Sequence, residues 1–482
     1  MTSISQLTIV RIVSIFLLML SAVMLIPLLI DLLDENPDWQ VFAVVGGFTA
    51  FLSSYGIMIT NDRPMPFNLP TGFVLINIMW VAISVVSALP YIFSDYHVSF
   101  TDAVFESVSG LTTTGSTVLS GLDDMPRGLL FWRSSTQWFG GVGFVAMGIV
   151  LLPFLQVGGM QFFKMESSDR SDKPFARIRT FGRALLAIYV IITLLCFLSY
   201  MLAGMSAFNA INHAMTTVST GGFSTTDSSM MQQSGPVLVV GIIFMLAGAI
   251  PFTLYMSAIV GKRGRWSDGQ MEVMLWIVFF VTVTIFLQAF SNAHMRAGEL
   301  FLHTLFNVVS LVTTTGFASA DYLAWGPQSI GLILIATFVG GCAGSTAGGF
   351  KTYRLIIMAK FAWASLRELR FPNGVFQIYV SKNRVSDNAL KATSVFLLLF
   401  FVSLGLAAIG LMMTGLDFDT SFSGALTALS NVGPGWGTVI GPTGNFTSFS
   451  DPAKWIMIFS MLLGRLEIMT MLVVFTPFFW KG

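Results

Sequence analysis

FESVSGLTTTGST, residues 105–117, has three counterparts further along the chain: HAMTTVSTGGFST at 213–225, FNVVSLVTTTGFAS at 306–319 and LTALSNVGPGWG at 426–437. In register they bring Gly115, Gly222, Gly316 and Gly433 to one position, 107, 94 and 117 residues apart. An internal period of this kind fixes an architecture before any single motif does. Each unit keeps one order: an apolar helix, a short semi-apolar helix, a Thr/Ser/Gly segment, then a second apolar helix. The short helices are expected over 102–111, 208–218, 300–312 and 420–429, at most half the length that crosses a bilayer. Polar extended backbone at membrane depth is tolerated only where it lines a water-filled cavity. The repeat therefore reads as a re-entrant pore loop between two spanning helices.

Composition agrees. Of 482 residues 54% are hydrophobic and 10% charged, more apolar surface than a soluble core hides. Ten stretches suit spanning helices: 9–33, 40–60, 72–93, 129–155, 183–203, 236–260, 271–290, 330–358, 393–413 and 454–480. The first, with Arg11 in front and no cleavage pattern behind, reads as a retained helix rather than a signal peptide. The expected fold is an all-α polytopic membrane protein with four pseudo-fourfold helix–pore loop–helix repeats preceded by two extra helices. Its divisions are residues 1–66 for the extra helices, then 67–160, 178–262, 270–360 and 391–482 for the four repeats. Cys196 and Cys342 lie in apolar segments and read as packing residues.

Charge is uneven along the chain. Lys164, Arg170, Lys173 and Arg177, then Lys262, Arg263 and Arg265, then Lys360, Arg367, Arg370, Lys382, Arg384 and Lys391 occupy alternate connections. The intervening loops hold Asp31, Asp34, Glu35, Asp38, Asp123, Asp124, Asp227 and Asp321, with Arg127 and Arg296 as exceptions. The positive-inside rule makes the basic loops and both termini cytoplasmic. Membrane lipid is then the first partner, and no nucleic-acid partner is expected.

Asp102, Ser206 and Thr420 stand where N-caps of the short helices are expected, and Glu299 opens the third. Short helices entering from outside and ending at mid-membrane aim four C-terminal dipole ends at one point, which favours a cation there. Dehydrating such a cation takes rings of oxygen ligands. The candidates are Thr113, Thr114 and Gly115; Thr220, Gly221 and Gly222; Thr314, Thr315 and Gly316; and Asn431, Val432 and Gly433. Glycine at the shared position permits positive φ. Asn431 replaces threonine and Gly221 replaces Thr or Val, so the rings need not be fourfold equivalent.

Two further features lie inside apolar segments. The run GGCAGSTAGGFK, 340–351, is too rich in glycine to continue a helix. It mimics a phosphate-binding loop, but Lys351 does not directly follow the second glycine and no strand precedes it. Arg465 falls near the middle of the last candidate helix, where a lone arginine usually faces a bundle interior or cavity. Glu467, two positions on, points to another helix face and is an awkward partner for it. Glu106 and His213 occupy equivalent positions in two repeats. His97, His213, His294 and His303 show no metal-ligand spacing, and no nucleophile–base constellation supports an enzyme.

These four loops, with GGCAGSTAGGFK, QWFGGVG at 137–143 and MLLGRLEIMTMLVVFTP at 461–477, resemble the membrane subunits of the Trk/Ktr/HKT superfamily of potassium transporters over nearly the whole chain, the TrkH branch most of all. The resemblance implies a potassium-uptake channel or transporter subunit in the bacterial inner membrane, with K+ as cargo and the only metal ion, and with no cofactor bound by this chain. In that family four filter glycines accompany potassium preference. It implies an intramembrane gate at 340–349 beneath the filter, formed by Gly344, Ser345, Thr346, Gly348, Gly349 and Lys351, with Arg465 set against the pore. It also implies a homodimer and a cytosolic ring of nucleotide-binding regulatory subunits, TrkA-like, on the basic loops. The alternative is a Na+- or H+-coupled secondary cation transporter built on broken helices. Four repeats running in the same direction favour the pore.

Overall fold

The computed structural model describes residues 3–61, 68–155, 174–259, 269–290, 295–380, 383–437 and 439–480. Lys164, Arg170, Lys173, Lys262, Arg263, Arg265, His294 and Lys382 lie outside the described residues. Helices α1 (Ser3–Val23) and α2 (Leu25–Leu33) run on as one span, and α3 (Trp39–Thr60) returns beside it. The first repeat is α4 (Leu69–Phe93), pore helix α5 (Phe100–Leu111) and inner helix α6 (Arg127–Leu155). The second is α7 (Pro174–Leu202), pore helix α8 (Ala207–Val218), and an inner segment of α9 (Gly235–Ala249) and α10 (Phe252–Ile259). The third is α11 (Gly269–Ala289), pore helix α12 (Ala297–Val312), α13 (Pro327–Val339) and α14 (Thr352–Arg370). A short antiparallel ribbon, β1 (Tyr379–Val380) and β2 (Asn383–Arg384), leads to the fourth: α15 (Asp387–Met413), pore helix α16 (Phe418–Ser430), α17 (Asp451–Arg465), α18 (Ile468–Leu472) and α19 (Pro477–Trp480).

Each pore helix packs on the outer helix of its own repeat and on the inner helix of the repeat before it: α6 on α8, α9 on α12, α13 on α16, and α17 back on α5. That last contact closes the ring. The cores follow the same logic. Of the two largest buried clusters, one is built mainly from repeats one and four with the N-terminal helices, and the other mainly from repeats two and three. The outer helices leave large apolar side chains such as Leu202, Phe280 and Leu398 uncovered, as lipid-facing surfaces do.

Among the described residues, six helices are long and apolar enough to cross a membrane, or up to eight when two bent pairs count as single spans. The expected helix over 236–260 is bent by 90° between α9 and α10, where Pro251 cannot donate its backbone N–H. The expected helix over 454–480 is bent by 111° just after Arg465. The stretch 330–358 is interrupted by the glycine-rich run, as its composition predicts. Stretch 129–155 falls within the one continuous helix α6, which carries Arg133 and Gln137.

The cap assignments need correction. Ser206 caps its helix, its side chain accepting from the Asn209 N–H. The caps of the first and fourth pore helices are Ser99 and Asp417, each three residues upstream of the expected residue, which instead supplies the N–H that the cap accepts. An N-cap side chain bonds the amide about three positions along, so a cap and its partner are easily exchanged when only sequence is in view. The third pore helix begins after Arg296 without a side-chain cap.

Candidate functional site

All four pore helices end in the same way. Thr113, Thr220, Thr314 and Asn431 donate their amides to the carbonyls three residues back, at Gly110, Thr217, Leu311 and Ala428. Thr114, Gly221, Thr315 and Val432 donate to those five back, at Ser109, Thr216, Ser310 and Thr427. This is the Schellman closure of a helix, which needs a left-handed residue at its turn. Thr113, Thr220, Thr314 and Asn431 have φ of +53°, +52°, +57° and +52°. Two residues on, Gly115, Gly222, Gly316 and Gly433 have φ of +82°, +80°, +83° and +105°. Left-handed backbone therefore recurs at two fixed places in every loop.

The four loops meet. A Cβ on Gly115 would fall inside 3.0 Å of the Gly221 carbonyl oxygen, one on Gly222 against that of Thr315, one on Gly316 against that of Val432, and one on Gly433 against that of Thr114. Each glycine is pressed on the next loop's penultimate carbonyl, and the fourth returns to the first. Above this ring lies a cavity of about 240 Å³ whose lining includes all four glycines, with Ser116, Thr117, Arg133 and Asp227. The structure thus gathers all twelve candidate residues around one axis.

Side chains behind the ring brace it. Ser116 Oγ donates to the Gly433 carbonyl of the adjacent fourth loop (3.0 Å). Gln137 of α6, fully buried, donates to the Gly221 carbonyl (2.7 Å) and accepts from the Phe223 N–H (3.0 Å). Glu106, nine residues before Gly115, is buried and ion-paired with Arg133 at 2.8 Å. His213 and Asn307 hold the same place in the next two repeats. His213 Nε2 bonds Ser224 Oγ at 3.1 Å, and Asn307 Oδ1 accepts from the Ser319 N–H at 3.1 Å. Sequence reasoning passed over Arg133; the available signal was an arginine inside a candidate span.

Directly beneath, loop 340–351 fills the space between the pore-helix ends, turning through positive φ at Gly340, Gly344, Gly349 and Lys351. Gly348 N–H donates to Thr314 Oγ1 at 2.7 Å. Thr346 Oγ1 donates to the carbonyls of Val218 (3.1 Å) and Gly248 (2.9 Å) and lies 3.3 Å from Thr220 Oγ1. Ser345 Oγ closes a turn on the Cys342 carbonyl, and Gly344 O accepts from the Phe252 N–H. Arg465, 1% exposed, donates to the Thr346 carbonyl at 3.0 Å and to that of Gly140 at 3.4 Å. It sits at the C-terminal end of α17, not in mid-helix as its sequence position suggested, because the chain breaks at Leu466 and Glu467. Glu467 pairs with Arg354 and, at 3.9 Å, with Lys351. It takes partners other than Arg465, as the two-residue spacing implied.

Among the described residues no cluster of three or more His, Cys, Asp or Glu is placed to hold a metal ion. The oxygens gathered here are instead backbone carbonyls and hydroxyls, the ligand set of a weakly held monovalent cation. The Thr113 hydroxyl and the Asn431 amide oxygen are buried and find no hydrogen-bond partner among the described residues.

The chain is similar to known proteins over nearly its whole length. A family model described as TrkH, cation transport protein, matches residues 40–481. The chain is 41% identical over 476 residues to the Trk system potassium uptake protein TrkI of Halomonas elongata, covering 98% of this chain and 96% of that one. It is 36% identical over 486 residues to the Trk system potassium uptake protein TrkH of Escherichia coli K12, covering 98% and 99%. The crystal structure of the potassium transporter TrkH from Vibrio parahaemolyticus superposes with a TM-score of 0.91 at 33% identity, over 98% of this chain and 99% of that one. With its repeats, helical membrane fold and sequence all matching, this chain belongs to the TrkH family of cation transport proteins, a family of transporters and not of enzymes.

Proposed function

We propose that this protein is a potassium-uptake subunit that conducts K+ through the ring formed by the four pore loops. The carrying observation is the closed cycle in which each loop's glycine rests on the next loop's carbonyl. Oxygens fixed by such contacts cannot collapse onto a smaller ion without moving four backbones at once, which is a physical basis for preferring potassium. The names of the relatives at 36% and 41% identity, both potassium uptake proteins, support the choice of ion.

Loop 340–351 is the gate in this reading. Its Thr346 and Gly348 are tied to the filter threonines, and Arg465 adds fixed positive charge beneath the ring. The chain works as a homodimer in a bacterial inner membrane with both termini cytoplasmic. A ring of nucleotide-binding, TrkA-like subunits docks on the basic loops, so that any nucleotide acts from the partner. Coupling to Na+ or H+ is the second reading, favoured only by the bends after Ala249 and Arg465; imposing either gradient on sealed liposomes and following K+ accumulation separates the two.

Uptake of rubidium or potassium tracer into liposomes, with sodium as competitor, tests the filter assignment. Wild type takes up potassium preferentially and Gly115→Ser weakens that preference. Absence of any cation flux with a regulatory partner supplied removes the pore reading.

A further inference from the structure

The charged brace behind the first loop has no charged counterpart in the other repeats. At its place the second and third repeats use the neutral pairs His213–Ser224 and Asn307–Ser319, and the fourth has Gly424. A buried ion pair carries a desolvation cost that neutral hydrogen bonds avoid, and apolar or neutral replacements often fold as well. Its retention in one repeat therefore calls for a role beyond holding the fold.

Its contacts supply one. The Glu106 carboxylate accepts from Thr117 Oγ1 at 3.0 and 3.1 Å, from the Val118 N–H at 3.0 Å, and from Arg133 Nε at 2.9 Å. Arg133 donates onward to the Ser224 carbonyl at 3.0 Å and lies 4.3 Å above the Phe223 ring. Thr117 and Ser224 stand two residues past Gly115 and Gly222, on equivalent limbs of neighbouring loops. One guanidinium thus spans two of the four limbs, and it also borders the cavity above the ring. Gln137, one turn further along the same helix, grips the second loop again.

We propose that Glu106 and Arg133 are positioning residues for ion discrimination. They fix the spacing of loops one and two above the glycine ring, and their mutual neutralisation keeps an uncompensated charge away from the cation path. The proposal rests on the ring being the selectivity filter. Arginine is the residue this task needs, because its planar fork bonds several acceptors in fixed directions while a lysine bonds them as a point charge.

The test uses full-length protein in liposomes, with potassium over sodium preference read from competition uptake and Gly115→Ser as reference. Arg133→Lys keeps the charge and removes the fork, and is expected to lower the preference by about fivefold or more. Glu106→Gln alone leaves a buried cation beside the path and is expected to lower flux by about tenfold. Adding Arg133→Gln to it restores part of that flux, with preference still reduced. Unchanged preference in both Arg133→Lys and the double variant, while Gly115→Ser alters it, overturns the proposal and leaves the filter reading intact. Unchanged preference in Gly115→Ser removes the filter reading itself, and the proposal with it.

Discussion

Threonine is a poor occupant of the left-handed backbone that Thr113, Thr220 and Thr314 adopt, where a β-branched side chain is a genuine outlier. The cost is about 1–2 kcal/mol at each, and glycine or asparagine would close the helices more cheaply. Asn431 shows that the cheaper residue is accepted in one repeat. Strain of this kind persists where the side chain is needed, and here two threonine hydroxyls touch the loop below while the third is buried with no hydrogen-bond partner among the described residues. The glycines face a double constraint of positive φ and a neighbouring carbonyl. Gly316→Ala should therefore abolish potassium-selective uptake even though the added group is one methyl. Wild-type selectivity in that variant would show that the loops are looser than their contacts imply. Arg465→Ala releases the Thr346 carbonyl and removes positive charge beneath the ring, so uptake should rise; an unchanged rate in reconstituted protein counts against a restraining role.

At the scale of elements, the pore helices depend on their outer ends as well as on their closures. Asp417 caps the fourth, accepting from the Thr420 N–H at 3.1 Å. Hydrogen bonds from the Thr420 side chain and amide hold its carboxyl below the usual carboxylate range. A carboxylate with a depressed folded pKa contributes stability that is present above its unfolded value and is lost as the pH falls through the folded one. Asp417→Asn keeps a good cap and should remove that acid sensitivity with little loss at neutral pH, whereas Asp417→Ala should lose about 1 kcal/mol at neutral pH. Thermal unfolding of the purified protein between pH 3 and 7, an interval of about four units around the carboxylate range, distinguishes the three. Equal melting curves would place the cap outside the energetics of the bundle.

At the scale of the molecule, the cyclic packing means that no repeat carries a complete piece of the site. Each loop leans on the next, and loop 340–351 is fastened by residues from repeats two, three and four, with Arg465 also reaching Gly140 of the first. The phosphate-loop look-alike in that run is committed to this packing. Lys351 is 5% exposed and paired with Glu467, so it is placed to fasten the loop and not to meet a nucleotide. Purified chain alone should show no heat of ATP or ADP binding by calorimetry, with nucleotide sensitivity appearing only when a regulatory partner is added. Binding to the isolated chain that disappears in Lys351→Ala would reverse this assignment.

Period and composition were enough to determine the membrane class, the four repeats, the position of every pore loop, the interruption at 340–351 and the requirement for glycine at four places. These depend on hydropathy over one helix length or on the backbone of a single residue, and both are written locally. Local pattern could not say that the last helix breaks after Arg465, that Glu467 turns to Arg354, or that Glu106 and Arg133 join across two elements. Nor could it show that glycine is required because a neighbouring carbonyl occupies the space of its side chain. Ser116 meets Gly433 only after a separation of 317 residues has been closed. Such contacts exist once the fourth repeat has packed against the first, and that closure was decided by the tertiary structure.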